Sequence, residues 1–346
     1  MERPPAHRRV VAGRLLASVL GVAAMAVASS ALGQSPITPG PPPRVFAFLS
    51  QAGGAELTHL QRYGSRISVV APNWYALDVA DQTLAGGASP TVVALTRAAG
   101  AQLWPVVNAR LAPSDPIGAP AVRTRIAAAI AALALAHGYD GMTLDIEQLP
   151  LGETLAFTAL VRAVTAALHA QGERLAVYVP RRTADGGDPA YDWPALTSDA
   201  DLLIGSGYDE HSETSAPGPV STLAGFDGVV AYAAGINQRR IAPAIGAFGY
   251  SWPAAGGPGV LVSSIDAATW QRASGARAHD DGGDTTFDAA GRVVYYQGTS
   301  QLVAEARAAR DDGMRWLALF SLGREPPAFW GQIRTARQPA PAPRHS

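Results

Sequence analysis

Eight apolar, strand-like runs recur along this chain, and segments with helical patterns separate most of them. The clearest helical segments are residues 122–138 and 152–172. Regular alternation of strands and helices is typical of parallel α/β folds, and eight such units predict a (β/α)8 TIM barrel. A doubly wound sheet is the alternative, although no G-x-G-x-x-G or phosphate-binding loop follows a strand. The eight runs are residues 45–50, 67–72, 102–108, 141–147, 174–179, 201–208, 240–250 and 314–323.

The composition excludes several kinds of chemistry and of partner. There is no cysteine among the 346 residues, so disulfides, thiolate catalysis and cysteine-based zinc sites are excluded. The 27 basic residues are all arginine and nearly balance the 28 acidic ones, giving a net charge of −1. Because nucleic acids and anionic membranes attract strongly basic proteins, neither is predicted as a partner. No metal and no cofactor are predicted.

The first 33 residues have the pattern of a secretory signal peptide. Four arginines within the first 14 residues precede the uncharged run 15–32, and the small residues Ala31 and Gly33 fit cleavage before Gln34. Cleavage would leave no membrane span and predicts a secreted or periplasmic protein. An uncleaved membrane helix is the alternative, since the run has nearly the length of a bilayer span.

Pro-rich segments flank the predicted folded domain. Residues 34–43 are predicted to be a linker and residues 337–346 a disordered tail, because such compositions rarely form a packed core. The folded barrel is predicted to occupy residues 44–336.

The stretch HGYDGMTLDIEQLP, residues 137–150, contains a strand that carries carboxylates. Thr143, Asp145 and Glu147 alternate with apolar residues, so both acids are predicted on one face of a largely buried strand. Catalytic groups of (β/α)8 barrels lie at the carboxyl ends of the strands, where Glu147 stands just before Pro150. One carboxylate raises the pKa of the other, so Glu147 is predicted to hold a proton and donate it. A structural cluster of acids or a metal site is the alternative.

Four segments together resemble the motifs of family 18 glycoside hydrolases, the chitinase-like (β/α)8 enzymes. DGMTLDIE (140–147) resembles the D-G-x-D-x-D-x-E signature, whose last residue is the proton donor. GSGYDEHSETSAPGP (205–219) resembles the sixth-strand M-x-Y-D and, more closely, the Y-D-E-H…P-G-P form of the bacterial spore-germination and cell-wall branch. IGAFGYSWP (245–253) and LALFSLGREPPAFW (317–330) resemble the seventh-strand G-x-x-x-Y-x-W and the closing W-x-L-G-x-E-D segments. The resemblance covers residues 44–332.

The resemblance implies substrate-assisted, retaining hydrolysis of a β-linked N-acetylhexosamine polymer, in which the sugar's own acetamido oxygen attacks the anomeric carbon. Glu147 takes the position of the acid and later the base. Asp145 takes that of the residue that orients the acetamido group, and Tyr208 that of the hydrogen-bond donor to its carbonyl oxygen. The positions of substrate-binding residues in and around subsite −1 are those of Asp209, Tyr250 and Phe320.

Two further segments are predicted to line the cleft. Trp74, which follows the second strand beside Tyr75, is a candidate for stacking on a sugar, with a buried aromatic pair as the equal alternative. Residues 253–297 are too long for an ordinary loop. They are predicted to form the small α+β insertion that family 18 members carry between strand 7 and helix 7.

Several positions depart from the family pattern. Thr143 replaces the middle Asp of the signature, so Asp145 lacks a like-charged neighbour and the pH profile should shift. Ser206 stands where Met is usual, and Pro326 where Asp is usual. Phe320 stands where the family places a Trp under the −1 sugar, so a smaller ring is available for stacking. These changes bear on the substrate more than on the fold.

Three functions are compatible with these residues. The leading prediction is a secreted glycoside hydrolase acting on peptidoglycan, chitin or an exopolysaccharide with N-acetylhexosamine units. A catalytically weak or inactive chitinase-like protein that binds such glycans is the alternative, although the retained Glu147 argues against it. The third is a barrel hydrolase for sugars without an acetamido group, in which Asp145 would have to act as the nucleophile. The predicted partner is a polysaccharide or glycan.

Overall fold

The computed structural model describes residues 41–50, 53–112 and 114–336. The predicted signal peptide and C-terminal tail, and most of the predicted Pro-rich linker, lie outside these residues. Their boundaries therefore stay predictions.

Eight parallel strands close into a barrel, which confirms the predicted (β/α)8 fold. Each barrel strand pairs with the next one along the chain, and the first pairs with both the second and the eighth. This closure excludes the doubly wound alternative, which is an open sheet. The barrel strands are β1 (Arg44–Leu49), β2 (Val69–Asp78), β3 (Val106–Arg110), β4 (Gly141–Glu147), β5 (Arg174–Val179), β6 (Leu202–Ser206), β7 (Ile241–Gly246) and β8 (Trp316–Phe320).

Two barrel strands differ from the predicted runs. The third run breaks at Pro105 into the short strand Gln102–Leu103 and β3, because proline has no N–H to donate to a neighbouring strand. β2 continues past its predicted end and forms an antiparallel hairpin with Thr83–Gly86. A register shift between Asn73 and Tyr75 marks a β-bulge where β2 pairs with β3.

Helices connect the strands and cover the outside of the barrel. The third helix begins at Pro120, whose missing N–H is tolerated in the first turn, and ends at Gly138. Gly138 has a φ of 61°, the left-handed conformation that glycine adopts at little cost. The helices of the described residues are α1 (Gly54–Tyr63), α2 (Pro90–Ala98), α3 (Pro120–His137), α4 (Thr154–His169), α5 (Trp193–Asp199), α6 (Leu223–Asn237), α7 (Ser264–Ser274), α8 (Thr299–Asp311) and α9 (Ala328–Gln332).

One helical stretch of the described residues, Leu151–His169, has the length and mean hydropathy (1.4) of a segment that could cross a membrane. It contains α4, whose side chains Phe157, Val161 and Leu168 are fully buried in the core between the barrel and its helices. Packing within the barrel therefore accounts for the apolar residues of this helix.

Alternate strand residues face opposite sides of the barrel wall. An inner cluster around Phe46 and Trp104 fills the barrel, whereas an outer cluster that contains Leu144 and Ile146 packs under the helices. Because successive residues of a strand point to opposite faces, the remaining polar residues of β4 point into the barrel. These are Thr143, Asp145 and Glu147.

A small α+β insertion lies between β7 and α8, as predicted. It begins at Phe248 rather than at residue 253, because β7 ends at Gly246 and the chain passes almost directly into a new strand. Gly249 is required there, since a Cβ at this position would lie 1.9 Å from the carbonyl oxygen of Tyr295 on the paired strand. The insertion contains α7 and a five-stranded antiparallel sheet of Phe248–Pro253, Val260–Ser263, His279–Asp281, Asp284–Ala289 and Arg292–Tyr296.

Two buried acids join the insertion to the barrel. Asp284, in an insertion strand, accepts a hydrogen bond from the backbone N–H of Val220 at 2.7 Å, in the segment between β6 and α6. Glu305, on α8, accepts hydrogen bonds from Ser221 at 2.7 Å, between β6 and α6, and from Gln297 at 3.1 Å, at the end of the insertion. Neither acid is exposed to solvent, and burial is the main cause that raises the pKa of each carboxyl to about 8.

We expect these two acids to make stability depend on pH. Their folded-state pKa values lie above those of an unfolded chain, so the folded protein binds more protons, and their contribution to the free energy of unfolding falls as pH rises from about 5 to 8. Glu305→Gln removes one of the groups, and each contributes at most about 1.4 kcal/mol per pH unit. Melting temperatures at pH 5 to 8 should therefore fall less steeply in the variant than in the wild type. Parallel curves for the two proteins would contradict this assignment.

Candidate active site

The ends of β3 and β4 place a set of polar side chains at the open end of the barrel. In the register of these two strands, Asn108 lies opposite Asp145 and Arg110 lies opposite Glu147. All four residues belong to the inward-facing set, since Val106, two residues before Asn108, packs in the inner cluster. Asp145 and Glu147 therefore lie on the same face of β4, as the alternation in the sequence predicts.

Glu147 is accessible at the mouth of the barrel. Its Oε2 lies 3.2 Å from Nε of Arg110, and the two side chains are 44% and 71% exposed, respectively. A carboxyl with this exposure can reach the glycosidic oxygen of a polymer bound across the barrel. Arg110 is a residue of this site that the motifs did not indicate.

Asp145 lies deeper than Glu147 and carries the raised pKa. Burial raises the pKa of its carboxyl to about 7, the negative charge of Glu147 adds to the effect, and Arg110 opposes it. Its Oδ1 is buried and has no hydrogen-bond partner among the described residues. The prediction that repulsion between the two acids keeps Glu147 protonated stays a prediction, whereas for Asp145 burial is the main cause and the charge of Glu147 is the second. Asp145 therefore takes up a proton near neutral pH.

Thr143 is part of the barrel floor. Its side chain is fully buried, and its hydroxyl donates a hydrogen bond to the carbonyl oxygen of Trp104 at 2.9 Å. The hydroxyl of Thr143, the neutral residue at the middle position of the signature, is therefore hydrogen-bonded to the backbone. Asp145 has no second carboxylate beneath it on this strand.

A pair of tyrosines approaches the acids from the two strands that follow β4 in the barrel. Tyr208 follows β6 and is 4% exposed, and its hydroxyl is hydrogen-bonded to that of Tyr178 on β5. Burial, followed by the charges of Asp209 and Asp145, raises the pKa of Tyr178, so its phenol stays neutral. Burial is also the main cause of the raised pKa of Tyr208. Tyr178 was not singled out from the sequence, although its inward parity on β5 is a usable signal.

Asp209 completes a group of three carboxyls around the mouth. Its backbone has a φ of 68°, a left-handed conformation that aspartate tolerates better than most residues. Burial, assisted by the charge of Glu147, raises the pKa of its carboxyl to about 6. Mutual electrostatic effects thus link Asp145, Glu147 and Asp209, as expected if they face one bound substrate.

Aromatic rings line the side of the mouth formed by β6, β7, β8 and the insertion. We call Tyr208, Phe248, Tyr250 and Phe320 the aromatic wall. The Phe248 ring lies 5.3 Å from Tyr208, 5.7 Å from Tyr250 and 5.9 Å from Phe320 between centroids. Phe320 is only partly buried, so this wall offers an apolar face to a ring that enters the mouth.

Trp74 lies away from the aromatic wall. It is partly buried against the outer cluster, with its ring 6.5 Å from that of Tyr75 and 6.2 Å from that of Tyr139. The hydroxyls of Tyr75 and Tyr139 are hydrogen-bonded to each other at 2.6 Å. These contacts favour the packing interpretation of Trp74 over sugar stacking.

Two other acids of the motifs, Asp140 and Glu325, are hydrogen-bonded to neighbouring groups of the fold. Asp140 accepts a hydrogen bond from the backbone N–H of Leu103 at 2.9 Å, which fixes the start of β4 against the neighbouring strand. Glu325 is fully buried and accepts hydrogen bonds from Trp330 at 2.6 Å and from the backbone N–H of Gly323 at 2.7 Å.

Within the described part of the chain, no group of three or more His, Asp or Glu side chains could hold a metal ion.

The closed barrel and its insertion define a (β/α)8 fold with a small α+β insertion. The chain is similar to the chitinase of Chromobacterium violaceum ATCC 12472, with a TM-score of 0.76 and 24% identity, over 84% of this chain and 98% of the other. It is also similar to the spore cortex-lytic enzyme SleL of Bacillus cereus, with a TM-score of 0.76 and 15% identity, over 86% of this chain and 76% of the other. The resemblance to chitinase-like barrels is therefore confirmed.

A curated relative adds a similarity in sequence. The chain is 29% identical over 149 residues to "Putative sporulation-specific glycosylase YdhD" of Bacillus subtilis (strain 168). That alignment covers 42% of this chain, and the chain spans only 36% of the length of the relative. No family model matches the chain.

Proposed function

We propose that this protein is a retaining glycoside hydrolase that cleaves β-linked N-acetylhexosamine polymers with the help of the substrate's own acetamido group. The observation that carries the proposal is the pairing of an exposed carboxyl, Glu147, with a buried one, Asp145, whose Oδ1 has no hydrogen-bond partner among the described residues. The two groups occupy different environments on one strand, which is how a pair of carboxyls acquires two different roles.

Glu147 is the general acid and then the general base. It donates a proton to the leaving glycosidic oxygen while the acetamido oxygen attacks the anomeric carbon and forms a cyclic oxazolinium ion. The resulting Glu147 carboxylate then takes a proton from water as that water opens the ring. The acid is thereby restored, and the product keeps the β configuration.

Asp145 and Tyr208 hold the acetamido group in place. The free Oδ1 of Asp145 accepts a hydrogen bond from the acetamido N–H, and its negative charge stabilises the positive oxazolinium. Tyr208 donates to the acetamido oxygen, in a step in which its hydroxyl turns from Tyr178 to the substrate. Asp209, Tyr250 and Phe320 contact the sugar in subsite −1, with the aromatic wall against its apolar face.

The names of the relatives support a glycan substrate and leave its identity open. One structural neighbour is a chitinase, another is a spore cortex-lytic enzyme, and the curated relative is named a glycosylase. We extend the proposal to peptidoglycan, chitin and exopolysaccharides with N-acetylhexosamine units. Export through the predicted signal peptide would bring the enzyme to such polymers outside the cytoplasm.

A catalytically weak or inactive glycan-binding protein is the second candidate. The ion pair between Arg110 and Glu147 favours it, because it engages the carboxyl that would have to act on the glycosidic bond.

Incubation of the purified protein with peptidoglycan, chitin and poly-N-acetylglucosamine tests the proposal. We expect mass spectrometry to detect shortened N-acetylated oligosaccharides with new reducing ends from at least one polymer. Binding of these polymers without any product would favour the second candidate, and neither binding nor product would contradict both.

A further inference from the structure

Three polar residues form the side of the mouth opposite the aromatic wall. We call Asn73 on β2 and Asn108 and Arg110 on β3 the polar arm. Asn108 donates a side-chain hydrogen bond to the amide oxygen of Asn73 at 2.5 Å, and Arg110 extends from the end of the same strand. All three belong to the inward-facing set of their strands, and Asn73 and Arg110 are exposed.

The two sides of the mouth suit different parts of a sugar. The aromatic wall offers apolar rings, on which the face of a pyranose stacks. The polar arm offers amide donors and acceptors and one guanidinium, which suit hydrogen-bonding or charged substituents of the polymer. Arg110 is thus positioned to contact a substituent close to the bond that Glu147 would cleave.

The ion pair of Arg110 is one that a bound substrate could replace. Its Nε lies 3.2 Å from Oε2 of Glu147 at the accessible mouth of the barrel. Among the described residues, Glu147 is the one group with which Arg110 forms a salt bridge. The Arg110 side chain is 71% exposed, so it is free to move, and pairs this exposed are weak.

From this geometry we infer that Arg110 selects anionic N-acetylhexosamine polymers, because its exposed guanidinium exchanges the ion pair with Glu147 for one with a carboxylate on the bound sugar. The inference rests on the proposed function and names the substrate class of the same site. A guanidinium binds a carboxylate through two parallel N–H bonds, whereas a neutral chitin chain offers it no charge. Glycan strands of peptidoglycan that have lost their stem peptides, with a free lactyl carboxylate on alternate sugars, have the required chemistry.

A matched pair of substrates tests the inference. The first is peptidoglycan glycan strands freed of their peptides, with free lactyl carboxylates, and the second is the same strands after methyl esterification. We expect the wild type to have a higher kcat/KM on the carboxylate form. In Arg110→Gln, the ratio of the two kcat/KM values should fall by about 10- to 100-fold, as expected for loss of one charge-assisted hydrogen bond.

Arg162→Gln is the matched control, since Arg162 is also an exposed arginine in an ion pair, with Asp199 at 3.0 Å on the outside of the barrel. This control should keep the wild-type ratio.

Failure of this inference is distinguishable from failure of the proposed function. A wild type that cleaves both substrates equally, or an Arg110→Gln variant that loses the same factor on both, would overturn the inference and leave the hydrolase intact. A wild type that releases no reducing ends from either substrate or from chitin would overturn the proposed function as well.

Discussion

Replacing Glu147 with Gln stops the release of reducing ends from N-acetylglucosamine-containing polymers and leaves glycan binding largely intact. A general acid–base residue contributes about 10²- to 10⁴-fold to the rate, and the amide has no proton to transfer. The exposed ion pair with Arg110 adds little to stability, so the variant should fold normally. Initial rates of reducing-end release measure the first effect. Calorimetric titration with an N-acetylglucosamine oligomer measures the second.

Glu153→Gln is the matched control for this result. Glu153 is partly buried in the short helical turn that follows β4 and lies outside the carboxyl group at the mouth, so its variant should cleave like the wild type. Equal turnover by the wild type and Glu147→Gln would remove Glu147 from the role of acid. Binding by both proteins with turnover by neither would support the glycan-binding alternative.

Replacing Asp145 with Asn lowers kcat by about 10²- to 10³-fold, the effect typical of losing one electrostatic stabiliser of a charged intermediate. Burial, together with the charge of Glu147, raises the pKa of Asp145 to about 7. The carboxyl has to be ionised to stabilise the oxazolinium, so kcat/KM of the wild type should rise with pH through an inflection near 7. The variant should lack this inflection. A pH profile of kcat/KM for both proteins measures it.

The loss of activity in Asp145→Asn should not arise from unfolding. The folded-state pKa of Asp145 lies above its usual value of 3.8, so ionisation opposes folding, and its contribution to the free energy of unfolding falls as pH rises from about 4 to 7. At pH 8 the variant is therefore expected to melt no lower than the wild type. An inflection near pH 7 that survives in the variant would contradict its assignment to Asp145.

The barrel was predictable because its strands are continuous apolar runs buried on both faces. The breaks inside those runs were harder to predict, because they depend on how neighbouring strands pair in the folded barrel. Pro105 divides the third run because it cannot donate a hydrogen bond, a signal that the sequence does contain. The division between β7 and the insertion at Ala247 has no comparable signal, because the residues on both sides are apolar.

That Asp145 and Glu147 lie on one face could be predicted from the two-residue period of a strand. This period applies whichever strands lie on either side. The position of Tyr75 did not follow, because the bulge between Asn73 and Tyr75 shifts the register of β2. Tyr75 has the parity of the inward-facing Val69 and Ala71, yet it packs in the outer cluster. Trp74, which has the parity of Val70, packs against the same outer cluster.

The partners of Arg110 and Tyr178 could not be predicted, because they depend on contacts between strands. The pairing of Arg110 with Glu147 needs the register of β3 against β4, which a single sequence does not specify. Tyr178 meets Tyr208 because β5 and β6 are neighbours in the closed barrel. Parity alone would have placed both residues on the inner face, but not beside those partners.

The most direct test of substrate-assisted hydrolysis compares one oligosaccharide with its de-N-acetylated form. Both have the same backbone and linkage, and only the first carries the acetamido oxygen that would attack the anomeric carbon. We expect the wild type to cleave the N-acetylated oligomer and to cleave the de-N-acetylated one at least about 100-fold more slowly, since an intramolecular nucleophile is lost. Equal initial rates on the two oligomers would contradict the account and would point to Asp145 as an enzymic nucleophile.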